Sequence, residues 1–183
     1  MQIENHTIGS DEALVIAEVG INHNGDMDMA RSLIDAAVDA GADAVKFQSF
    51  IASELVTASA PKAEYQEGST GESQREMPEP YGLTPEQHRE LQSYWEEHGI
   101  IFFSTPFDNQ SLALLDDLEV PAIKVGSGEL TNTPFLREIA ELNRPMIVST
   151  GMSTMGEVEA AVETIRDASA DVPLALLHCV SLY

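Results

Sequence analysis

Two lysines stand out in a chain that holds only three, Lys46, Lys62 and Lys124. Lys46 and Lys124 each sit inside a strand-like apolar run, Val45-Lys46-Phe47-Gln48 and Ile123-Lys124-Val125. An ammonium in such a place is costly unless it meets an anion. Lys124 is followed at once by Gly126-Ser127-Gly128-Glu129, where the glycines let backbone N–H groups approach the same anion and the serine adds a hydroxyl. The chemistry this favours is the grip of a small phosphorylated or carboxylated ligand. The competing reading is a pair of structural ion pairs, with each lysine neutralised by a buried carboxylate.

Other polar residues fall at the ends of similar runs: Glu18, Gln48, Thr105, Ser149 and Ser181. Alternation along a strand puts Lys46 and Gln48 on one face, with Val45 and Phe47 on the other, and groups Ala122 with Lys124 against Ile123 and Val125. The apolar faces should meet helices, so the lysines point inward. Glu18 and Glu129 are the carboxylates with a claim to proton transfer; beside two lysines they should stay ionised, fit to accept a proton or hold a hydroxyl, unless they only neutralise the lysines. His23, in a turn, would bind substrate or cap that turn. His178 is a ligand, an acid or a hydrogen-bonded core histidine. No spacing of His with carboxylates makes a self-contained metal site.

These residues need a frame, and the frame is repetitive. Strand-like runs at 13–20, 43–50, 100–105, 121–125, 145–150 and 173–179 alternate with amphipathic segments. The latter are opened by Asp26, Thr84-Pro85, Asp108, Thr133-Pro134 and the Thr154/Glu157 pair. Strict alternation implies parallel strands joined by right-handed crossovers. Polar candidates at nearly every strand end favour a barrel rim over the single switch point of an open sheet. The expected fold is therefore α/β, an incomplete (β/α)8 TIM barrel with about six of eight strands, occupying residues 1–183 as one domain. A barrel short of two strands suggests a fragment of a longer protein. Residues 51–83 lack a clear period and are rich in Gly, Ser, Pro, Glu and Gln, which suits either a site-lining lid or an acidic insertion.

The composition narrows the function further. Nine basic against 31 acidic residues give a net charge of −22, which argues against nucleic acid or an anionic membrane as partner. So acidic and lysine-poor a surface suits high salt, where screening relieves self-repulsion. The single cysteine, Cys179, excludes an internal disulfide, and no stretch spans a bilayer or resembles a signal peptide, so a cytoplasmic location is expected.

In order along the chain, Ala17-Glu18-Val19-Gly20-Ile21-Asn22-His23-Asn24-Gly25, Val45-Lys46-Phe47-Gln48, Phe103-Ser104-Thr105-Pro106-Phe107, Ile123-Lys124-Val125-Gly126-Ser127-Gly128-Glu129, Ser149-Thr150-Gly151-Met152 and Leu177-His178-Cys179 closely resemble the sialic acid synthase family, N-acetylneuraminate synthase and its relatives. The resemblance implies a TIM barrel that condenses phosphoenolpyruvate with the open-chain aldehyde of an N-acylated amino sugar, releasing phosphate and forming a nine-carbon 2-keto acid. By likeness of motif, Lys46, Thr105, Lys124, Ser127 and Ser149 would hold phosphoenolpyruvate. Gln48 would join that substrate pocket and Tyr183 would line its sugar end. Glu129 would hold the sugar and assist proton transfer, and Glu18 would be a second acid or base. The family usually takes manganese or magnesium through two histidines that would lie beyond residue 183. It usually also has a small C-terminal antifreeze-like domain, swapped across a homodimer. Ser181, where relatives often carry asparagine, leaves the sugar open. A legionaminic or pseudaminic acid synthase, another phosphoenolpyruvate-condensing barrel, or an inactive barrel that only binds ligand are the alternatives.

Overall fold

The computed structural model describes residues 1–11, 13–55 and 81–180. The chain opens with a short antiparallel hairpin, β1 (Gln2–Ile3) and β2 (His6–Thr7). Regular alternation then begins: β3 (Ile16–Gly20), α1 (Met27–Asp39), β4 (Ala44–Ser49), the short α2 (Ala52–Leu55), α3 (Pro85–His98) and β5 (Ile101–Pro106). It continues through α4 (Asn109–Asp117), β6 (Ile123–Val125), a 3-10 turn at Ser127–Glu129, α5 (Thr133–Glu141), β7 (Met146–Ser149), α6 (Met155–Ala168) and β8 (Leu174–Leu177).

The six long-range strands lie in one parallel sheet in sequence order, β3-β4-β5-β6-β7-β8. A doubly wound sheet would reverse direction at a switch point; this one never does. One-way winding is that of a (β/α)8 barrel, and six of its strands are present among the described residues, as the alternation predicted. The strands are shorter than the apolar runs suggested, while β5 runs one residue further to include Pro106. The hairpin was not anticipated, because two-residue strands carry no readable period. Only residues 51–55 and the few residues before α3 represent the 51–83 stretch; the question of a lid or an insertion falls on residues outside those described.

Local sequence explains the helix starts. Thr84 and Thr154 each cap a helix in a reciprocal box with the residue three further on, Gln87 and Glu157, satisfying N–H groups that the first turn leaves free. Asp26 and Asp108 do the same with a single carboxylate each. The helix at 133 is capped one residue earlier than expected, by Asn132.

Two cores divide the apolar residues by parity. Between sheet and helices, Val45, Phe47, Phe102, Ile123, Val125, Met146 and Val148 pack against Leu91, Trp95, Leu115 and Ile139. There the Trp95 and Phe102 rings stack 3.7 Å apart at 6°, a contact worth roughly 1 kcal/mol beyond its buried area. On the inner face, Ala44, Ile101, Phe103, Ala122 and Ile147 form a second cluster completed from below by Ile3 of the hairpin. The next inward positions toward the C-terminal strand ends are Lys46, Thr105, Lys124 and Ser149. The layer that would complete an apolar barrel core is polar there.

Candidate active site

Lys46 is only 9% exposed. Its Nζ lies 2.7 Å from Glu18 Oε2 on β3 and 3.5 Å from Thr105 Oγ1 on β5. Three neighbouring strands thus converge on one ammonium, because Glu18 registers with Lys46 and Thr105 with Gln48. Gln48 is half-buried on the same inner face. Gly20 makes the approach possible: its φ is +55°, and a Cβ there would sit 3.1 Å from Glu18 Oε1 and 3.6 Å from Gln48 Nε2. Any side chain would be strained and would crowd the carboxylate.

Lys124, 7% exposed, donates to its neighbour's carbonyl at Val125, 2.7 Å, and to Ser149 Oγ on β7, 2.6 Å. Among the described residues no carboxylate comes within ion-pair distance of it. Burial, then the nearby Lys46 ammonium, push its pKa down to about 8, against a weaker pull from Cys179 and Glu18. This is the observation that separates the two readings of the lysines. Lys46 has a carboxylate partner and Lys124 has none, so the pair is not a closed set of structural salt bridges.

Ser127, at the start of the 3-10 turn, accepts the Gly151 N–H at 3.0 Å and faces Cys179 Sγ at 3.5 Å. That contact with Ser127, ahead of smaller contributions from Thr150, Ser149 and Gly151, draws the thiol below its ordinary value. Glu129 points elsewhere: its Oε2 accepts from Asn132 Nδ2 at 2.7 Å, and no ion pair joins it to either lysine among the described residues. Tyr183 and Ser181 lie outside the described residues. His23 is fully buried; its Nδ1 accepts the Gly25 N–H at 3.0 Å, and its ring stacks on Phe47 at 5.6 Å, so it caps its own turn. His178 follows β8, the last strand of the described sheet, and its side chain is exposed there.

Comparison with known proteins places the chain. The model of the NeuB family matches residues 33–183. The chain belongs to the NeuB family. It is 43% identical over 175 residues to the N,N'-diacetyllegionaminic acid synthase of Campylobacter jejuni, covering 94% of this chain and 52% of that protein. It is 34% identical to the human N-acetylneuraminate-9-phosphate synthase, covering 96% of this chain and 48% of the other. The crystal structure of the Leptospira borgpetersenii N-acetylneuraminic acid synthetase in complex with citrate superposes with a TM-score of 0.87 at 30% identity, covering all of this chain and 60% of that one. The chain spans about half the length of the curated relatives it matches. Within the NeuB family the named relatives make sugar acids of more than one kind, legionaminic, pseudaminic and phosphorylated neuraminic acids among them.

Two polar residues that sequence reasoning passed over also emerge. Ser49 and Ser104 face the helix layer, joined to each other and to His88 of α3. Their signal was a serine in a helix-facing position of an otherwise apolar strand.

Proposed function

We propose that the chain supplies the phosphoenolpyruvate-binding wall of a sugar acid synthase, condensing phosphoenolpyruvate with the aldehyde of an N-acylated amino sugar of the N-acetylmannosamine type. The single observation that carries this reading is Lys124, a buried ammonium without a carboxylate partner among the described residues, set beside a second lysine and two serine hydroxyls. A ligand bearing both phosphate and carboxylate supplies the missing negative charge. That a family relative binds citrate, another small polyanion, is in keeping with it.

In the proposed reaction a water oxygen adds to C2 of the enol pyruvate while C3 forms the new carbon–carbon bond to the aldehyde carbon. The aldehyde oxygen takes up a proton and becomes a hydroxyl. The resulting tetrahedral carbon at C2 then expels phosphate, leaving the 2-keto acid. Lys124, Ser149 and Ser127 hold the anion, and charge that gathers on the departing phosphate is met by donors already in place. Lys46 and Thr105 hold the other end, with Gln48 beside them. Glu18, paired with Lys46, accepts the proton of the attacking water. Glu129, anchored by Asn132, is assigned to the sugar hydroxyls, and Tyr183 to the sugar end of the pocket.

Among the described residues no group of three His, Cys, Asp or Glu side chains is arranged to hold a metal ion. The residues present therefore do not fit the divalent ion that the resemblance implies. Manganese or magnesium stays in the proposal only as a group with ligands outside these residues, and no step here is routed through it. A homodimer and a cytoplasmic setting belong to the same proposal; no helix among the described residues is long and apolar enough to cross a membrane.

Phosphate release from phosphoenolpyruvate, N-acetylmannosamine and manganese tests the reading, with the diacetylated amino sugar of the legionaminic type as the second acceptor. Lys124→Ala should abolish phosphoenolpyruvate binding by calorimetry. Unchanged affinity would discard the assignment; binding without turnover on any hexosamine favours a protein that only binds the ligand.

A further inference from the structure

Three polar side chains lie in the apolar layer between α3 and the sheet, all essentially buried: Ser49 on β4, Ser104 on β5 and His88 on α3. His88 Nδ1 is 3.0 Å from the Thr84 carbonyl, its Nε2 is 2.9 Å from Ser49 Oγ, and Ser49 Oγ is 2.7 Å from Ser104 Oγ. A carbonyl only accepts, so the proton sits on Nδ1. A neutral imidazole then offers a lone pair at Nε2, which accepts the hydrogen bond donated by the Ser49 hydroxyl, and Ser49 in turn accepts from Ser104. Every hydrogen in the chain from Ser104 to Thr84 is accounted for in one direction. Burial, the larger influence on His88, favours this neutral form by lowering its pKa.

The place of this network matters. Ser49 is the last residue of β4 and registers with Pro106, the last of β5. The ladder continues one step past the proline, where the Phe107 N–H donates to the Ser49 carbonyl at 3.1 Å, and the Ser49–Ser104 bond adds a side-chain tie between the two strands from the helix side. One residue earlier, Gln48 registers with Thr105 on the opposite, inner face. The main chain leaves the sheet at Ser49 and returns into α3 at Thr84, so His88 also fastens the two ends of that excursion.

We infer that His88, acting through Ser49 and Ser104, is a positioning residue that holds the rims of β4 and β5 so that Lys46 and Thr105 meet the same anion. This rests on the anion-pocket reading above. Buried polar groups cost stability unless all are satisfied, and a matched apolar set would pack at least as well. What the polar set provides is a fixed strand-end geometry.

The test compares inorganic phosphate binding, by calorimetry, with the thermal midpoint and the NMR shift of the Thr105 methyl group. The triple variant His88→Leu, Ser49→Ala, Ser104→Ala removes the network without leaving an unpaired group. It should melt near the wild type, bind phosphate about tenfold more weakly, a loss on the scale of one buried hydrogen bond, and move the Thr105 methyl. His88→Gln, whose amide oxygen can accept from Ser49, should stay within about threefold of wild type. A triple variant with wild-type phosphate affinity and an unmoved Thr105 methyl overturns the inference. Should the triple variant fail to fold, Ser104→Ala alone is read the same way, with a smaller loss expected and an unmoved methyl and unchanged affinity counting against it. If the wild type itself binds no phosphate, the anion-pocket reading fails, and the Thr105 methyl decides the positioning role by itself, moved in its favour and unmoved against it.

Discussion

Lys46 and Glu18 form an ion pair across β4 and β3, Nζ to Oε2 2.7 Å, in which the lysine is buried and the carboxylate is more than half exposed. The pair is asymmetric in consequence. Glu18 can leave it for water or for a reacting proton, whereas Lys46 has nowhere else to turn but toward Thr105 or a ligand.

Glu18→Gln should therefore separate binding from chemistry. An exposed partner holds its lysine by about 1 kcal/mol at most, so phosphate binding should tighten by no more than about fivefold. Turnover should fall by at least about a hundredfold, the scale of a lost general base. Calorimetry and phosphate release measure the two separately; turnover unchanged in this variant would remove Glu18 from the proton path.

Lys124, with its pKa near 8, makes anion binding pH-dependent. Above that value the free amine is largely neutral, and a bound phosphate restores its charge, so binding should take up a proton and weaken as pH rises through about 8. Calorimetry near that pH in two buffers of different ionisation enthalpy should show the uptake, and Lys124→Met should abolish it. For folding the sign is separate: an unfolded lysine titrates at 10.5, so the cost of holding this ammonium in the fold is relieved between about 8 and 10.5.

Gly20→Ala tests the tight passage beside Glu18. An alanine at φ +55° costs about 1–2 kcal/mol from backbone strain alone, so the melting midpoint should drop by about 5 °C. An unchanged midpoint would mean that the turn relaxes freely.

Acid should unfold the chain through its two buried histidines. His23 and His88 are both shifted below 6.5, chiefly by burial. The unfolded chain then binds more protons between 6.5 and the lower folded values. Their stabilising contribution is present above 6.5 and is lost as pH falls below it. Urea midpoints should fall as pH drops from 7 to 5, and the His23→Phe, His88→Leu double change should flatten that slope.

Salt should act in the other direction. With a net charge of −22, repulsion across the surface is long-ranged and screening shortens its reach. We propose a protein adapted to high salt: its midpoint should rise by about 5 °C or more between about 0.1 M and about 2 M potassium chloride. A flat response would remove that proposal.

Much of this was legible in the chain. Capping pairs such as Thr154 with Glu157 and the alternation of apolar runs fixed the order of elements, and strand parity alone turned Lys46 and Lys124 inward. What could not be read was proximity in space. Nothing local says that Ser49 finds Ser104 and His88, residues 55 and 39 positions away, or that Glu129 turns to Asn132 and not to a lysine. The hairpin escaped because Gln2–Ile3 and His6–Thr7 are too short to show a period.

Ile3 gives that hairpin its importance. By plugging the inner cluster of Ala44, Ile101, Phe103, Ala122 and Ile147 from beneath, it stoppers the end where the strands begin. Lys46 and Lys124 stand at the other end of the same inner face, so the first few residues close the foot of the sheet and leave its polar layer at the head.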